Sequence, residues 1–191
     1  MSDLKFLALF GSLRRASHNT GLLRSLPALA PSGVTIQLYD GLGSLPLFNE
    51  DLETLPAPPA VAELRGLVAA ADGVLIATPE YNSSISGSLM NGLDWLSRPV
   101  GASVLLGKPV AVLGASPSQF GTARAQLVLR QVLHRIQAQV LDHPEVTVFR
   151  SHGRFDSEGT FLGDEVTERL LGELLTGLMR MSCTDVSVPA V

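Results

Sequence analysis

The chain has 191 residues, 46% of them hydrophobic and 17% charged, with fourteen Lys plus Arg against eighteen Asp plus Glu and a formal net charge of −4. That length and apolar content exclude intrinsic disorder and leave room for one core, so residues 1–191 are expected to form a single domain. Mild acidity without a basic cluster excludes a large phosphate-neutralising surface, and with it a nucleic-acid partner.

The single cysteine, Cys183, allows no intrachain disulfide and no cysteine-based zinc site, as expected for a reducing compartment. No basic region precedes the apolar run at residues 4–10, and no apolar stretch approaches the roughly 20 residues that span a bilayer. The expectation is a cytoplasmic protein with no membrane partner.

In chain order, short apolar runs alternate with longer amphipathic segments, the pattern of a parallel sheet covered by helices on both faces. Residues 4–10 read as the first strand, stopped by Gly11, and Ser17 is placed to cap a helix. Residues 34–39 alternate with period two as a second strand before the Asp40-Gly41 turn. The Gly- and Pro-rich stretch 42–59 reads as a long surface loop. A short helix is expected between Pro59 and Ala71, then a buried strand over 73–78 stopped by Pro79, then a helix from Gly87 or Ser88 past Trp95.

Residues 108–114 are near-continuously apolar, which suits a parallel strand covered on both faces. Val128, Leu129, Val132, Leu133, Ile136 and Val140 fall at helical spacing and predict a helix over 122–139. Leu127 broadens its apolar stripe, which points to a subunit interface. Residues 146–149 supply a fifth strand, and the last helix carries Val166, Leu170, Leu171, Leu174, Leu175 and Leu178 on one face.

In an open parallel sheet, ligands bind beyond the carboxyl ends of the strands, where the strand order reverses. Three loops fall there. The first, Gly11-Ser12-Leu13-Arg14-Arg15-Ala16-Ser17-His18-Asn19, joins a helix N-terminus to hydroxyls, an amide and a guanidinium, a receptor suited to a phosphate dianion. It lacks both the Gly-Lys-Ser/Thr ending of a nucleoside-triphosphate loop and the three glycines of a dinucleotide fingerprint, so a monophosphate is the natural guest. The second, Pro79-Glu80-Tyr81-Asn82-Ser83-Ser84-Ile85-Ser86-Gly87, offers a stiff strand end, backbone N–H groups and an aromatic ring to a flat heteroaromatic ligand. The third, residues 114–121, is small enough to let a ligand approach the backbone.

Gly114-Ala115-Ser116-Pro117-Ser118 lacks the final glycine of a hydrolase nucleophile elbow. His134, His143 and His152 have no helical pair spacing, so no metal site is expected. His18 reads either as an aid to the first loop or as an exposed turn residue.

Gly11-Ser12-Leu13-Arg14 with Ser17 and Asn19, followed about sixty residues later by Pro79-Glu80-Tyr81-Asn82 with Gly87, Leu89, Asn91, Asp94 and Trp95, resembles the NADPH-dependent FMN reductases, a family of flavodoxin-like quinone, chromate and azo-dye reductases. The resemblance implies an α/β, flavodoxin-like three-layer sandwich whose five-stranded parallel sheet has the order 2-1-3-4-5. It implies FMN as cofactor and NADPH or NADH as hydride donor. Ser12, Arg14, Ser17 and Asn19 would hold the phosphate. Pro79, Glu80, Tyr81 and Asn82 would border the isoalloxazine ring, largely through backbone groups, with Ser116 and Gly121 near the ribityl chain or ring.

The chain departs from that pattern at Ser86, where proline is usual, at Met90, where lysine is common, and at Ser118-Gln119-Phe120 in the third loop. No side chain need act as a general acid or base, because the flavin carries the chemistry. The implied activity is transfer of a hydride through FMN to a quinone, azo, chromate or similar small acceptor by a ping-pong route, in a homodimer or homotetramer. The other reading is a flavodoxin-like electron carrier for a protein partner, which a stronger acidic surface would favour.

Overall fold

The computed structural model describes residues 3–53 and 56–184; the ends of the expected 1–191 domain and residues 54 and 55 of the expected 42–59 loop lie outside the described residues. Strand β1 (Leu4–Phe10) pairs in parallel with β2 (Val34–Tyr39) on one side and β3 (Gly73–Ala77) on the other. Strand β4 (Pro109–Ala115) continues the sheet, and both β5 (Gln139–Val140) and β6 (Val146–Val148) pair with it. The order β2-β1-β3-β4-β5 is the one the resemblance implies.

The two-residue side-chain period of the strands divides the core. Leu7, Leu9, Val74, Ile76, Val110 and Val112 face α2 (Pro59–Ala70), α3 (Gly87–Leu96) and α4 (Ala123–Arg135). Phe6, Ala8, Leu75, Ala77, Ala111 and Leu113 face α1 (His18–Leu29) and α5 (Glu165–Ser182). In α5, Leu171, Leu174, Leu175 and Leu178 are buried as expected, whereas Val166 is 59% exposed. Cys183 is exposed beyond its end.

The structure departs from the sequence-based boundaries at the fifth strand position. The helix expected over 122–139 stops at Arg135, because Gln137 takes a left-handed conformation (φ +65°). Gln137 N–H then bonds His134 C=O and Ala138 N–H bonds Leu133 C=O, a helix-ending motif usually built on glycine. The chain thereby turns early enough to lay Gln139–Val140 beside the start of β4, with Leu141 N–H bonded to Val110 C=O. Pro144 carries no N–H, and pairing resumes only at β6, beside Leu113–Ala115. The expected strand at 146–149 is thus the second half of a split strand.

The long 41–53 connection is ordered by α3. Trp95, 1% exposed, donates its indole N–H to Pro46 C=O, and Asn91 bonds Pro46 C=O and Phe48 N–H through its amide. A Cβ at Gly92 would lie 2.9 Å from Leu42. The motif residues Asn91 and Trp95, with Gly92 between them, therefore dock this loop onto the helix.

Candidate active site

At the carboxyl ends of β1, β3 and β4 lies a cleft of about 390 Å³. Its lining includes Ser12, Arg14, Ser17, Asn19, Pro79, Glu80, Tyr81 and Ser116 from the residues the sequence singled out, and also His18, Ala115, Pro117 and His152. Asn82 and Gly121 are not in the lining. Asn82 occupies the turn beyond Tyr81, and Gly121, at φ +64°, packs on Thr147 and Phe149.

The first loop leaves β1 through a glycine that nothing larger can replace. Gly11 N–H bonds Ala77 C=O, and a Cβ there would lie 2.5 Å from that same oxygen. Ser17, 2% exposed, caps α1 by accepting from Thr20 N–H. His18 and Asn19, the first two helical residues, keep backbone N–H groups with no acceptor inside the helix. Ser12 Oγ accepts from Arg14 N–H at 3.3 Å. Arg14 is exposed and, among the described residues, enters no ion pair. This end of the cleft therefore combines the positive end of a helix dipole with a free guanidinium.

The Asn19 side chain does something else. Its Nδ2 donates to Ala115 C=O at 2.9 Å and its Oδ1 accepts from Ala115 N–H at 2.8 Å, tying the first turn of α1 to the end of β4.

Glu80 forms the opposite rim, with its side chain only 4% exposed. Its carboxylate receives Arg124 through both Nε and Nη2, and also accepts from the backbone N–H groups of Arg124 and Ala125. Because Thr122 makes no side-chain cap at the start of α4, Glu80 serves as that cap from a neighbouring loop. Its carboxylate is fully engaged, so only backbone groups remain for a ligand. Next to it, Tyr81 and Ser84 exchange two backbone hydrogen bonds around Asn82 (φ +51°) and Ser83 (φ +63°), the positive-φ pair of a tight hairpin turn. The Tyr81 side chain stands half exposed at the cleft.

Ser86 accounts for its departure from the family pattern. Its hydroxyl caps α3 by accepting from Leu89 N–H and donates to Gly11 C=O, joining the second loop to the first.

The sequence did not bring His152 to the site, since it lies more than a hundred residues from the first loop and follows no motif. A 3₁₀ turn, Ser151–Arg154, carries it to the cleft beside His18. His18 stacks on Phe155 at 4.3 Å with ring planes 4° apart, its Nδ1 lies 2.7 Å from Ser151 Oγ, and the His152 ring stands edge-on at 6.5 Å. Burial first, then the Arg14 guanidinium and the His152 ring, hold the His18 pKa below its ordinary value. Among the described residues no group of His, Cys, Asp and Glu is arranged to hold a metal ion, and no helix is long and apolar enough to cross a membrane.

Residues 4–153 match the family model for NADPH-dependent FMN reductase. The chain is 44% identical over 172 residues to an NAD(P)H-dependent FMN reductase of Pseudomonas aeruginosa, covering 90% of this chain and 92% of that protein. It is 40% identical over 167 residues to a 2-hydroxy-1,4-benzoquinone reductase of a Burkholderia species, covering 87% and 90%. Among solved structures it superposes on FerB, a flavoenzyme NAD(P)H:(acceptor) oxidoreductase of Paracoccus denitrificans, with a TM-score of 0.81 at 32% identity over 93% of this chain and 97% of that one.

Proposed function

The chain belongs to the NADPH-dependent FMN reductase family and is an FMN-dependent NAD(P)H oxidoreductase, and from that premise we propose where its cofactor lies and how its two substrates share it. The FMN phosphate sits at the N-terminus of α1, held by Ser12, Arg14 and Ser17 with the open amides of His18 and Asn19. The isoalloxazine ring lies against the backbone of Pro79, Glu80 and Tyr81, beside Asn82, with Ser116 and Gly121 toward the ribityl side. The observation that carries this reading is the joining of an unpaired guanidinium and a capped helix N-terminus to the Pro79–Tyr81 wall in one cleft.

The donor set fits the group. The phosphate end supplies hydroxyls, amides and a cation, the ring end supplies a rigid backbone edge, and the volume lies within the roughly 300–1,000 Å³ of small-molecule sites. FMN, when bound, accepts a hydride from NAD(P)H and passes two electrons to an acceptor. The protein binds and orients. Glu80 and Asn19 fix the cleft walls rather than move protons, and one face of the ring site stays open beside Tyr81.

With residues 1–191 acting as one FMN-binding domain, donor and acceptor take turns at that open face, which gives ping-pong kinetics. The acceptor class we assign is quinones, on the likeness to the Burkholderia enzyme, with azo compounds and chromate as further acceptors. The location we assign is the cytoplasm. Anaerobic NADPH should bleach the FMN-loaded protein and a quinone should restore its colour, with parallel double-reciprocal plots in steady state. A yellow protein that ignores both NADPH and NADH would point instead to the electron carrier.

We also assign a homodimer or homotetramer. Leu127 is exposed on α4 and Phe120 just before it, and a groove of about 510 Å³ between α3 and the end of α4 is lined by Met90, Val100, Leu106 and Val132. A second copy covering this apolar face would remove it from water. Sedimentation at micromolar concentration tests this, and a monomer contradicts it.

A further inference from the structure

We propose that His18 and His152 are binding residues for the FMN phosphate and that a proton is taken up as the phosphate docks, which makes cofactor affinity proton-linked. This rests on the assignment of FMN to the cleft.

The geometry holds the His18 ring in place and sets the His152 ring edge-on beside it. His18 is the first residue of α1, pressed flat on Phe155, with Nδ1 held by the buried Ser151 hydroxyl. That leaves Nε2 as its only ring nitrogen without a partner among the described residues. A hydroxyl both donates and accepts, so Ser151 serves the neutral ring and the protonated ring alike. His152 comes from a different element and lines the same end of the cleft, edge-on to His18.

Among the described residues, the charged groups around the pair supply it no free counter-ion, and Asp164 pairs with Arg154 of the same turn. Arg14, from the loop before α1, adds positive charge. Glu80, from the loop after β3, is engaged by Arg124 and the amides of α4. Tyr81 brings only a phenol. Asp156, beyond Phe155, accepts from the amides of Glu158 and Thr160. Burial first, then the Arg14 guanidinium and the His152 ring, favour neutral imidazole at His18 in the free protein. A phosphate dianion supplies the missing opposite charge and raises the pKa of His18. Binding therefore draws in protons, and affinity rises as pH falls from about 8 toward 6. Below about pH 6 the phosphate itself protonates and the gain stops.

The test is calorimetric titration of the FMN-free full chain with FMN and with riboflavin, between about pH 6 and 8.5, in buffers of different ionisation heat. The expected result is net proton uptake with FMN, an FMN Kd tightening about 3- to 10-fold from pH 8 to 6.5, and neither effect with riboflavin. His18→Gln and His152→Gln should each flatten the FMN slope and lower the uptake without changing riboflavin affinity. His152 is exposed, so its variant keeps the test intact if loss of the His18 stack disturbs folding. FMN binding with no proton uptake and no pH slope, or full linkage surviving both substitutions, overturns this inference while leaving the FMN site standing. Failure to bind FMN at any pH overturns the cofactor placement and the inference together.

Discussion

Removing the Glu80 carboxylate should weaken the fold while leaving the cofactor in place. In Glu80→Ala, α4 loses its only side-chain cap, since the Arg124 and Ala125 amides at 3.1 and 3.3 Å both point to that carboxylate. Loss of a helix cap costs about 1–2 kcal/mol. Arg124 is 46% exposed and stays solvated when unpaired, so the ion pair adds no more than about 1 kcal/mol. The sum is about 1–3 kcal/mol, or roughly 2–12 °C in Tm for a chain of this size. Glu80→Gln keeps an acceptor oxygen and should lose about half as much. Urea and thermal unfolding of the FMN-free protein measure the loss, and fluorescence quenching of FMN at low temperature measures binding. Wild-type stability in Glu80→Ala would refute the capping role. A fall in FMN affinity of more than about 10-fold without loss of stability would show that the carboxylate binds the ligand directly.

Three further outcomes follow from the same geometry. Gly114→Ala places a Cβ 2.1 Å from Thr122 Oγ1 and 2.7 Å from Thr78 C=O; it should cost about 1–3 kcal/mol or more in urea unfolding, since buried backbone cannot yield. Gln137→Gly relieves a left-handed residue at the end of α4 and should stabilise by about 0.5–1 kcal/mol, read as a rise in the urea midpoint. The lowered pKa of His18 means that below its ordinary value of 6.5 the unfolded chain binds more protons than the folded one, so the FMN-free protein should lose stability as pH falls from there. Melting curves at successive pH values should show that loss, flattened in His18→Gln.

The sheet was legible in the sequence because β1, β3 and β4 are near-continuous apolar runs, the first two stopped by breakers at Gly11 and Pro79, and because β2 alternates with period two. The helix starts were legible where a hydroxyl stands before the periodic segment, as at Ser17. Gln139–Val140 was hidden because two residues carry no periodicity and because the stop before them uses Gln137 where glycine would have signalled it. Among the site residues, the motif positions around the first and second loops declared themselves by residue type, but their tasks did not. Glu80 and Asn19 look like ligand groups in sequence, and only the fold shows them joined to the start of α4 and the end of β4. His152 gave no signal, since its place in the cleft depends on the turn after β6 and on Phe155 stacking beneath His18.

The placement of FMN stands on its phosphate lying at the start of α1, and the affinity ratio of FMN to riboflavin in the wild type and in Arg14→Ala tests it most directly. One charge-assisted contact is worth about 1.5–3 kcal/mol, so Arg14→Ala should weaken FMN roughly 10- to 100-fold and leave riboflavin unchanged. Equal loss for both ligands, or no loss for either, would contradict it.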